Sequence, residues 1–248
     1  MSFGLKAYSS TATNSVVIDD TFSSWQCIQT GTLSSSGVLT NLSQTFDQSS
    51  AAAPALFVKF SSSGTYYVSS SMFYASGSTV NQFAVNDYAS FGLGNSVSGL
   101  EYRFYKQLDL TTQNVSSGYG LNVFNASGKP VFSSNVNPLI LDAYGLLNAG
   151  FNTLSSGSGF VGAEYNTGLF EPFVFLSYST KQTRVVSGGG RLVYTLMPVF
   201  YHSSGTLRIR FYIYSQFVPI ALPVYTFKAY GSNNIVQPMF CFNGARPA

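Results

Sequence analysis

The sequence predicts an all-β protein made of two antiparallel β-sandwich-like domains related by internal duplication. Short runs of aromatic and β-branched residues recur at roughly 8–12-residue spacing with Ser- and Gly-rich turns between them, which is typical of antiparallel sandwiches and barrels. No segment carries apolar residues at helical spacing over more than two turns. Charged residues are only 8% of the chain and aromatic residues are 16%, the opposite of the balance in a disordered chain.

Candidate strands follow from these runs, and turn-forming clusters separate them. Residues 61–64 and 188–190 are typical turn sequences because glycine adopts φ > 0 at no steric cost. Residues 48–55 contain several alanines and predict at most one turn of helix before Pro54. The predicted strands are, in chain order, residues 4–8, 15–18, 55–60, 66–70, 100–105, 119–124, 138–142, 172–178, 192–196, 206–216, 224–230 and 238–242.

The best-defined predicted element is a β-hairpin in residues 119–134, with the sequence YGLNVFNASGKPVFSS. Tyr119, Leu121 and Val123 alternate with smaller or polar residues, as in a half-buried strand. The Asn-Ala-Ser-Gly that follows supplies turn chemistry, and Pro130 stands at the first residue of the second strand, where proline is tolerated. The sequence therefore predicts two short strands joined by a loop of about four or five residues.

This hairpin, continued by Asn137-Pro-Leu-Ile-Leu-Asp142, resembles one found in small tail-associated proteins of tailed bacteriophages. The resemblance implies a non-enzymatic virion protein of the tail tip, baseplate or tail-fibre region, made in the bacterial cytoplasm. It also implies assembly with other tail proteins and with further copies of the chain as a homo-oligomer, and contact with a glycan or protein of the host surface. The family's Phe-Asp-Ser is Phe132-Ser133-Ser134 here, and its basic residue after Pro-Leu is Ile140, so the roles of those charges do not carry over.

Three pairs of similar segments occur in the same order, roughly 106 to 118 residues apart, which indicates a duplicated unit. The paired segments are residues 3–8 with 119–124, residues 57–61 with 173–177, and residues 100–105 with 207–212. We therefore predict one domain over residues 1–118 and a second over residues 119–248, with a cut near Asn135 as the alternative. A weaker third copy of the hairpin, beginning at Tyr225, predicts an added C-terminal hairpin in the second domain.

Composition and charge indicate which classes of partner the chain can bind. The net charge of +3 comes from dispersed residues, and no short window is basic enough to indicate binding to nucleic acid. No run of about 20 apolar residues predicts insertion into a membrane. A surface poor in charge promotes association, so we expect assembly rather than the alternative of a soluble monomer. Cys27 and Cys241 are too few for a disulfide framework, and we expect both to pack as small buried hydrophobic residues.

Residues for catalysis are scarce, and no metal, cofactor or catalytic group is predicted. His202 is the only histidine, it precedes a predicted turn, and we expect it to be exposed. The carboxylates of Glu164 and Glu171 flank a possible turn, so a glycan hydrolase that uses them is one alternative function. Arg208 and Arg210 share one face of a predicted strand, and we expect a solvent-facing pair rather than a phosphate site.

Binding is the more plausible activity because aromatic residues near polar turns suit contacts with carbohydrate or protein. Ordinary core packing is the alternative for each of them. The predicted binding residues are Tyr66, Tyr67, Phe73, Tyr74, Tyr201 and His202, and the predicted assembly contacts are Met239, Phe240 and Phe242. A capsid-surface decoration protein is a further alternative, since it would have the same composition at a different place in the virion.

Overall fold

In a computed structural model of the protein, the described residues form mainly β-strands, together with one 3-10 turn at Ala89–Phe91. The described residues are 4–8, 15–19, 25–34, 37–39, 55–74, 81–107, 121–124, 130–133, 139–150, 158–176, 182–187, 191–218 and 234–242. The strands are β1 (Gly4–Tyr8), β2 (Ser15–Asp19), β3 (Trp25–Thr32), β4 (Gly37–Leu39), β5 (Ala55–Lys59), β6 (Thr65–Tyr74), β7 (Asn81–Asp87), β8 (Glu101–Gln107), β9 (Asn122–Phe124), β10 (Pro130–Ser133), β11 (Ala143–Gly150), β12 (Gly159–Asn166), β13 (Phe173–Phe175), β14 (Gln182–Ser187), β15 (Arg191–Ser203), β16 (Thr206–Val218) and β17 (Asn234–Phe242).

Two large antiparallel sheets form a sandwich-like arrangement, which confirms the predicted all-β class. One sheet has six strands in the order β11-β17-β13-β5-β8-β3, and the other has seven, in the order β12-β16-β15-β6-β7-β4 with β14 paired to β15. Two separate hairpins, β1-β2 and β9-β10, complete the described strands. Alternating side chains of both sheets meet in one apolar core, as the period of two in a strand requires.

The strand order has a matched arrangement on the two sides of residue 118. Strands β3, β8 and β5 mirror β11, β17 and β13 in one sheet, and β4, β7 and β6 mirror β12, β16 and β15 in the other. The two sets join where β5 pairs with β13 and β6 pairs with β15. Val58 pairs with Val174 at the first of these junctions, and these two residues occupy the same position in the similar segments 57–61 and 173–177. A duplicated unit would produce this order, but the duplication remains a prediction, and the order does not distinguish a cut at residue 118 from one near Asn135 because the mirrored strands end at Gln107 and resume at Ala143.

One of the three similar segment pairs does not occupy equivalent places. Residues 100–105 contribute to β8 in the six-stranded sheet, whereas residues 207–212 lie in β16 in the seven-stranded sheet. By position, the counterpart of β8 is β17. The likeness of these two segments therefore follows from their shared pattern of alternating aromatic and basic residues, not from a shared place in the fold.

Both predicted Gly-Leu hairpins are present. Residues 4–8 pair with 15–19 without irregularity, and β9 pairs with β10, where Pro130 opposes Phe124 and a bulge shifts the register. Cα atoms of β2 and β10 approach within 8 Å, so the two hairpins adjoin. The weaker copy beginning at Tyr225 lies mostly outside the described residues, and only its last residues enter β17.

The core has two layers around the six-stranded sheet. Between the sheets, Phe60 stacks on Phe200 with ring centroids 4.1 Å apart, and both rings are fully buried. On the other side of the six-stranded sheet, Phe57 and Phe173 belong to a second apolar cluster. Strand β5 is therefore buried on both faces, which explains its continuous apolar sequence, Ala-Leu-Phe-Val.

Several strands differ from the prediction. Residues 139–142 (Leu-Ile-Leu-Asp) are not a strand: the Leu139 N–H donates to the Trp25 carbonyl, the chain bends at Asp142, and the next strand, β11, begins at Ala143. The sequence does not predict several glycine-rich or polar strands, because they form through pairing with neighbouring strands and not through the β-propensity of their own residues. These strands are β3, β4, β7, β11, β12 and β14. Residues 48–54 and 224–230 lie outside the described part of the chain.

Candidate functional site

The outer face of the seven-stranded sheet carries the richest set of functional side chains among the described residues. Along β16, Leu207, Ile209, Phe211 and Ile213 are buried in the core, and the residues between them point to the opposite face. Those residues are Arg208, Arg210, Tyr212 and Tyr214, all of them half-buried. This arrangement confirms the prediction that the two arginines form a solvent-facing pair.

A large bulge in β12 brings a carboxylate to these arginines. Phe211 pairs with Val161 and Ile209 pairs with Tyr165, so residues 162–164 oppose Arg210 alone. Gly162 adopts φ 72°, a left-handed conformation that favours glycine, and its carbonyl accepts from Arg210 Nε at 3.2 Å. Bulges of this kind re-aim side chains next to binding sites.

Glu164, at the end of this bulge, is held by two donors. Arg208 Nη1 donates to Glu164 Oε1 at 2.8 Å, and the Tyr201 hydroxyl donates to Glu164 Oε2. The hydrogen bond from Tyr201, with the nearby arginines, lowers the pKa of Glu164, and burial together with this bond raises the pKa of Tyr201 to about 12. Glu164 is therefore a fixed carboxylate, and Tyr201 is a neutral phenol at physiological pH.

Four aromatic rings surround this polar group. Phe160 lies 6.0 Å from Tyr201 and 5.3 Å from Tyr212, measured between ring centroids, and Tyr67 makes an edge contact with Tyr212 at 5.0 Å. The Arg210 guanidinium carbon stands 5.5 Å from the centroid of Phe160. We call these seven residues the outer-face cluster: Tyr67, Phe160, Glu164, Tyr201, Arg208, Arg210 and Tyr212.

Five of the six predicted binding residues divide into three groups. Tyr67 and Tyr201 lie together in the outer-face cluster, with Phe160 and Tyr212 between them. Tyr66, although adjacent in sequence, points inward and is buried against Phe60, so the prediction of a binding role is not supported for it. Phe73 and Tyr74 end strand β6, and their side chains lie outside the described residues.

His202 also differs from the prediction of an exposed side chain. His202 pairs with Leu207, so it lies on the inward side of β15. Its ring centroid is 5.9 Å from that of Phe170, and both ring nitrogens are buried. Burial lowers the pKa of His202 below its ordinary value of 6.5, so the neutral imidazole is the stable form. A neutral imidazole packed on Phe170 fits a structural role rather than a ligand-binding one.

We expect His202 to make the protein less stable in mild acid. Because the folded state binds the proton more weakly than the unfolded state, the free energy of unfolding falls as the pH drops below 6.5. Urea denaturation between about pH 7.5 and pH 5.5 measures this, and His202→Phe should flatten the dependence. Glu164 and Glu171 act only at lower pH, since both pKa values lie below 4.5. An unchanged slope in His202→Phe would contradict the assignment.

Glu164 and Glu171 are held by different partners. Glu171, at φ 45°, accepts from the Ser62 N–H at 2.6 Å, and its other oxygen lies 4.0 Å from Lys59 Nζ. Hydrogen bonds from the side chain and the N–H of Ser62 lower the pKa of Glu171, and the pKa of Glu164 is also lowered. A glycosidase needs one carboxylic acid with a raised pKa, so the arrangement gives the hydrolase alternative no support.

A second exposed feature lies at the edge of the six-stranded sheet. Tyr144 and Leu146 on β11 are 81% and 68% exposed, and Ile140 and Leu141 just before them are also exposed. We call these four residues the β11 patch. Gly145, between Tyr144 and Leu146, lies against the ring of Tyr165, so the inner side of β11 is closed and the patch is on the outer side.

The predicted assembly contacts adjoin this patch. In the register of β11 with β17, Phe240 pairs with Tyr144 and Met239 pairs with Gly145, and Phe242 follows in β17 opposite Phe173. The side chains of Met239, Phe240 and Phe242 lie outside the described residues. The sequence did not identify the β11 patch or Phe160, since single exposed apolar residues carry no periodic signal.

Other kinds of site are limited in the described part of the chain. No group of three or more histidine, cysteine, aspartate or glutamate side chains is placed to hold a metal among these residues. Cys241 is buried as predicted, Cys27 is half-buried, and both are free thiols. None of the described helical residues forms a helix long and apolar enough to cross a membrane.

No protein-family model, curated protein or solved structure matches the chain.

Proposed function

We propose that the chain is a non-enzymatic structural protein of a bacteriophage tail, in the tail tip, baseplate or tail-fibre region. It assembles there with other tail proteins and contacts the host surface. The observation that carries the proposal is the resemblance of the 119–134 hairpin to tail-associated proteins, together with two exposed surfaces of different chemistry on one rigid β framework.

The β11 patch is the contact that we assign to a neighbouring tail protein. Tyr144 and Leu146 lie side by side on an edge strand that contains no charged residue, no proline and no bulge. The edge of β11 adjoins β12 of the other sheet, so the surface open to a partner is the outer side of β11 with its exposed apolar side chains. The outer side of β11 therefore suits burial against another protein, and assembly would remove its apolar side chains from water.

We expect Leu146→Asp to exclude the protein from virions. A buried, unpaired carboxylate at the centre of an apolar contact is strongly unfavourable, so incorporation should fall by at least about tenfold. Phage grown with the variant would be purified, and the chain would be quantified per particle by mass spectrometry. Thr30→Asp, at an exposed position on the opposite edge strand β3, is the matched control. Normal incorporation of Leu146→Asp would remove the β11 patch from the proposal.

Locating the chain in the virion distinguishes the tail proposal from the capsid-decoration alternative. Gold labelling of a tagged, incorporated chain, followed by electron microscopy, should place the label at the tail end of the particle. Label over the capsid surface would replace the tail proposal by the decoration protein, which the composition also permits. Absence of the chain from particles of normal infectivity would contradict both structural roles.

A further inference from the structure

We propose that the outer-face cluster binds a neutral saccharide, with Phe160 as the platform for one face of the sugar ring and Glu164 and Arg210 as partners for adjacent hydroxyl groups. The inference rests on the proposed host-contact function, because it assigns the chemical class of the ligand and the residues that hold it.

The platform is an aromatic ring held by two neighbouring rings. Phe160 is 43% exposed, whereas Tyr212, which makes an edge contact with it, and Tyr201, which lies at a tilt to it, are half-buried and fix its position. Beneath the cluster, Met197 and Val199 are fully buried at outer-face positions of β15 beside Tyr212 and Arg210. The C–H face of a sugar packs on such a ring, and a rigid ring loses little conformational entropy when it binds.

The polar partners are fixed before any ligand arrives. Two donors orient the Glu164 carboxylate, and its side chain keeps 34% of its surface exposed, so it can accept from further hydroxyls. Arg210 uses Nε for the Gly162 carbonyl, and no carboxylate in the described part of the chain lies within 4.0 Å of its guanidinium. Its terminal N–H groups can therefore donate to a ligand.

Charge and size favour a neutral sugar over the other ligands of similar chemistry. An acceptor and a donor lie side by side, which matches a pair of hydroxyls, each of which both donates and accepts. An acidic sugar could pair its carboxylate with Arg210, but that carboxylate would then stand beside Glu164, where like charges repel, whereas a pair of hydroxyls uses both groups without this cost. A protein partner needs a contact of roughly 800 Å² on each side, whereas Phe160 is the only member of the outer-face cluster that is an exposed large hydrophobic side chain.

The test uses the full chain and saturation-transfer NMR with defined probes. The probes are methyl glucoside, methyl galactoside, methyl mannoside and N-acetylglucosamine, with glucuronic acid as the charged comparison. We expect at least one neutral sugar to bind weakly. Phe160→Ala and Arg210→Gln should each weaken that binding by about tenfold or more, because a stacking contact or a charged hydrogen bond is lost. Phe124→Ala, an equally exposed phenylalanine in β9, should leave binding unchanged.

Each other outcome overturns the inference. Binding of glucuronic acid alone would make the site one for anions, and binding unaffected by Phe160→Ala would place the sugar elsewhere. No binding of any neutral probe, by protein whose thermal unfolding is normal, would also exclude the site. If Phe160→Ala alters folding, Arg210→Gln decides by the same measurement, and Arg210→Lys, which keeps the charge, should retain more of the binding than Arg210→Gln. Labelling of the virion tests the tail location separately, so a tail protein that binds no sugar would refute this inference alone.

Discussion

Phe200→Ala should lower the free energy of unfolding by about 3–5 kcal/mol, the usual cost of deleting a fully buried phenylalanine ring. Phe200 comes from β15, and it stacks on Phe60, just beyond β5 in the opposite sheet, at 4.1 Å. Both rings are fully buried, so the deletion leaves a cavity that the rigid sheets cannot easily fill. Urea denaturation of the purified protein, followed by fluorescence or circular dichroism, measures the change.

Phe170→Ala is the matched control for this prediction. Its ring is 62% exposed, so the same chemical deletion should cost less than about 1 kcal/mol. Equal losses for the two variants would mean that the Phe60–Phe200 stack is not part of the stable core.

Separating the chain at residue 118 should abolish the folding of both fragments as monomers. Each fragment would lose its partner at both sheet junctions, where β5 pairs with β13 and β6 pairs with β15. Bonds across the junctions, such as the Leu176 N–H to the Leu56 carbonyl at 2.8 Å, would be lost, and Phe60 would be exposed. Unpaired backbone groups and bare apolar rings at once are too costly for a small sandwich.

The measurement is circular dichroism and size-exclusion chromatography of fragments 1–118 and 119–248, alone and mixed. The intact chain is the reference for cooperative unfolding, and the mixture should recover part of its signal. A sharp, cooperative transition in either fragment as a monomer would show that the junctions are dispensable and that the two halves are independent domains.

The fold class could be predicted because it depends on a local pattern. Alternating apolar residues in strands such as β16 specify which side faces the core, the continuous apolar run of β5 specifies a strand buried on both faces, and turn residues such as Ser204-Gly205 specify where the chain reverses. The sheet order could not be predicted, because pairs such as Phe57 with Phe175 join residues more than a hundred positions apart. Nothing local in the sequence distinguishes that partner from other apolar strands.

The candidate site was only half predictable for the same reason. Tyr67 and Tyr201 were recognisable as aromatic residues near polar turns, but Tyr66 fits that description equally and is buried. Because successive residues of a strand point to opposite faces, Tyr66 enters the core whereas Tyr67 reaches the outer face. Glu164 entered the prediction as half of a catalytic pair, and its real neighbours, Arg208 and Tyr201, became visible only when the β12 bulge set the register.

The mirrored strand order has a consequence for how copies of the chain can add to one another. One end of the six-stranded sheet is β3, which shows the small polar side chains of Thr30 and Thr32, and the other end is β11, with Tyr144 and Leu146. Two identical separate subunits would present the same edge at both ends. The chain instead has two unlike ends, so in the proposed assembly a row of copies joined through these ends would have a direction.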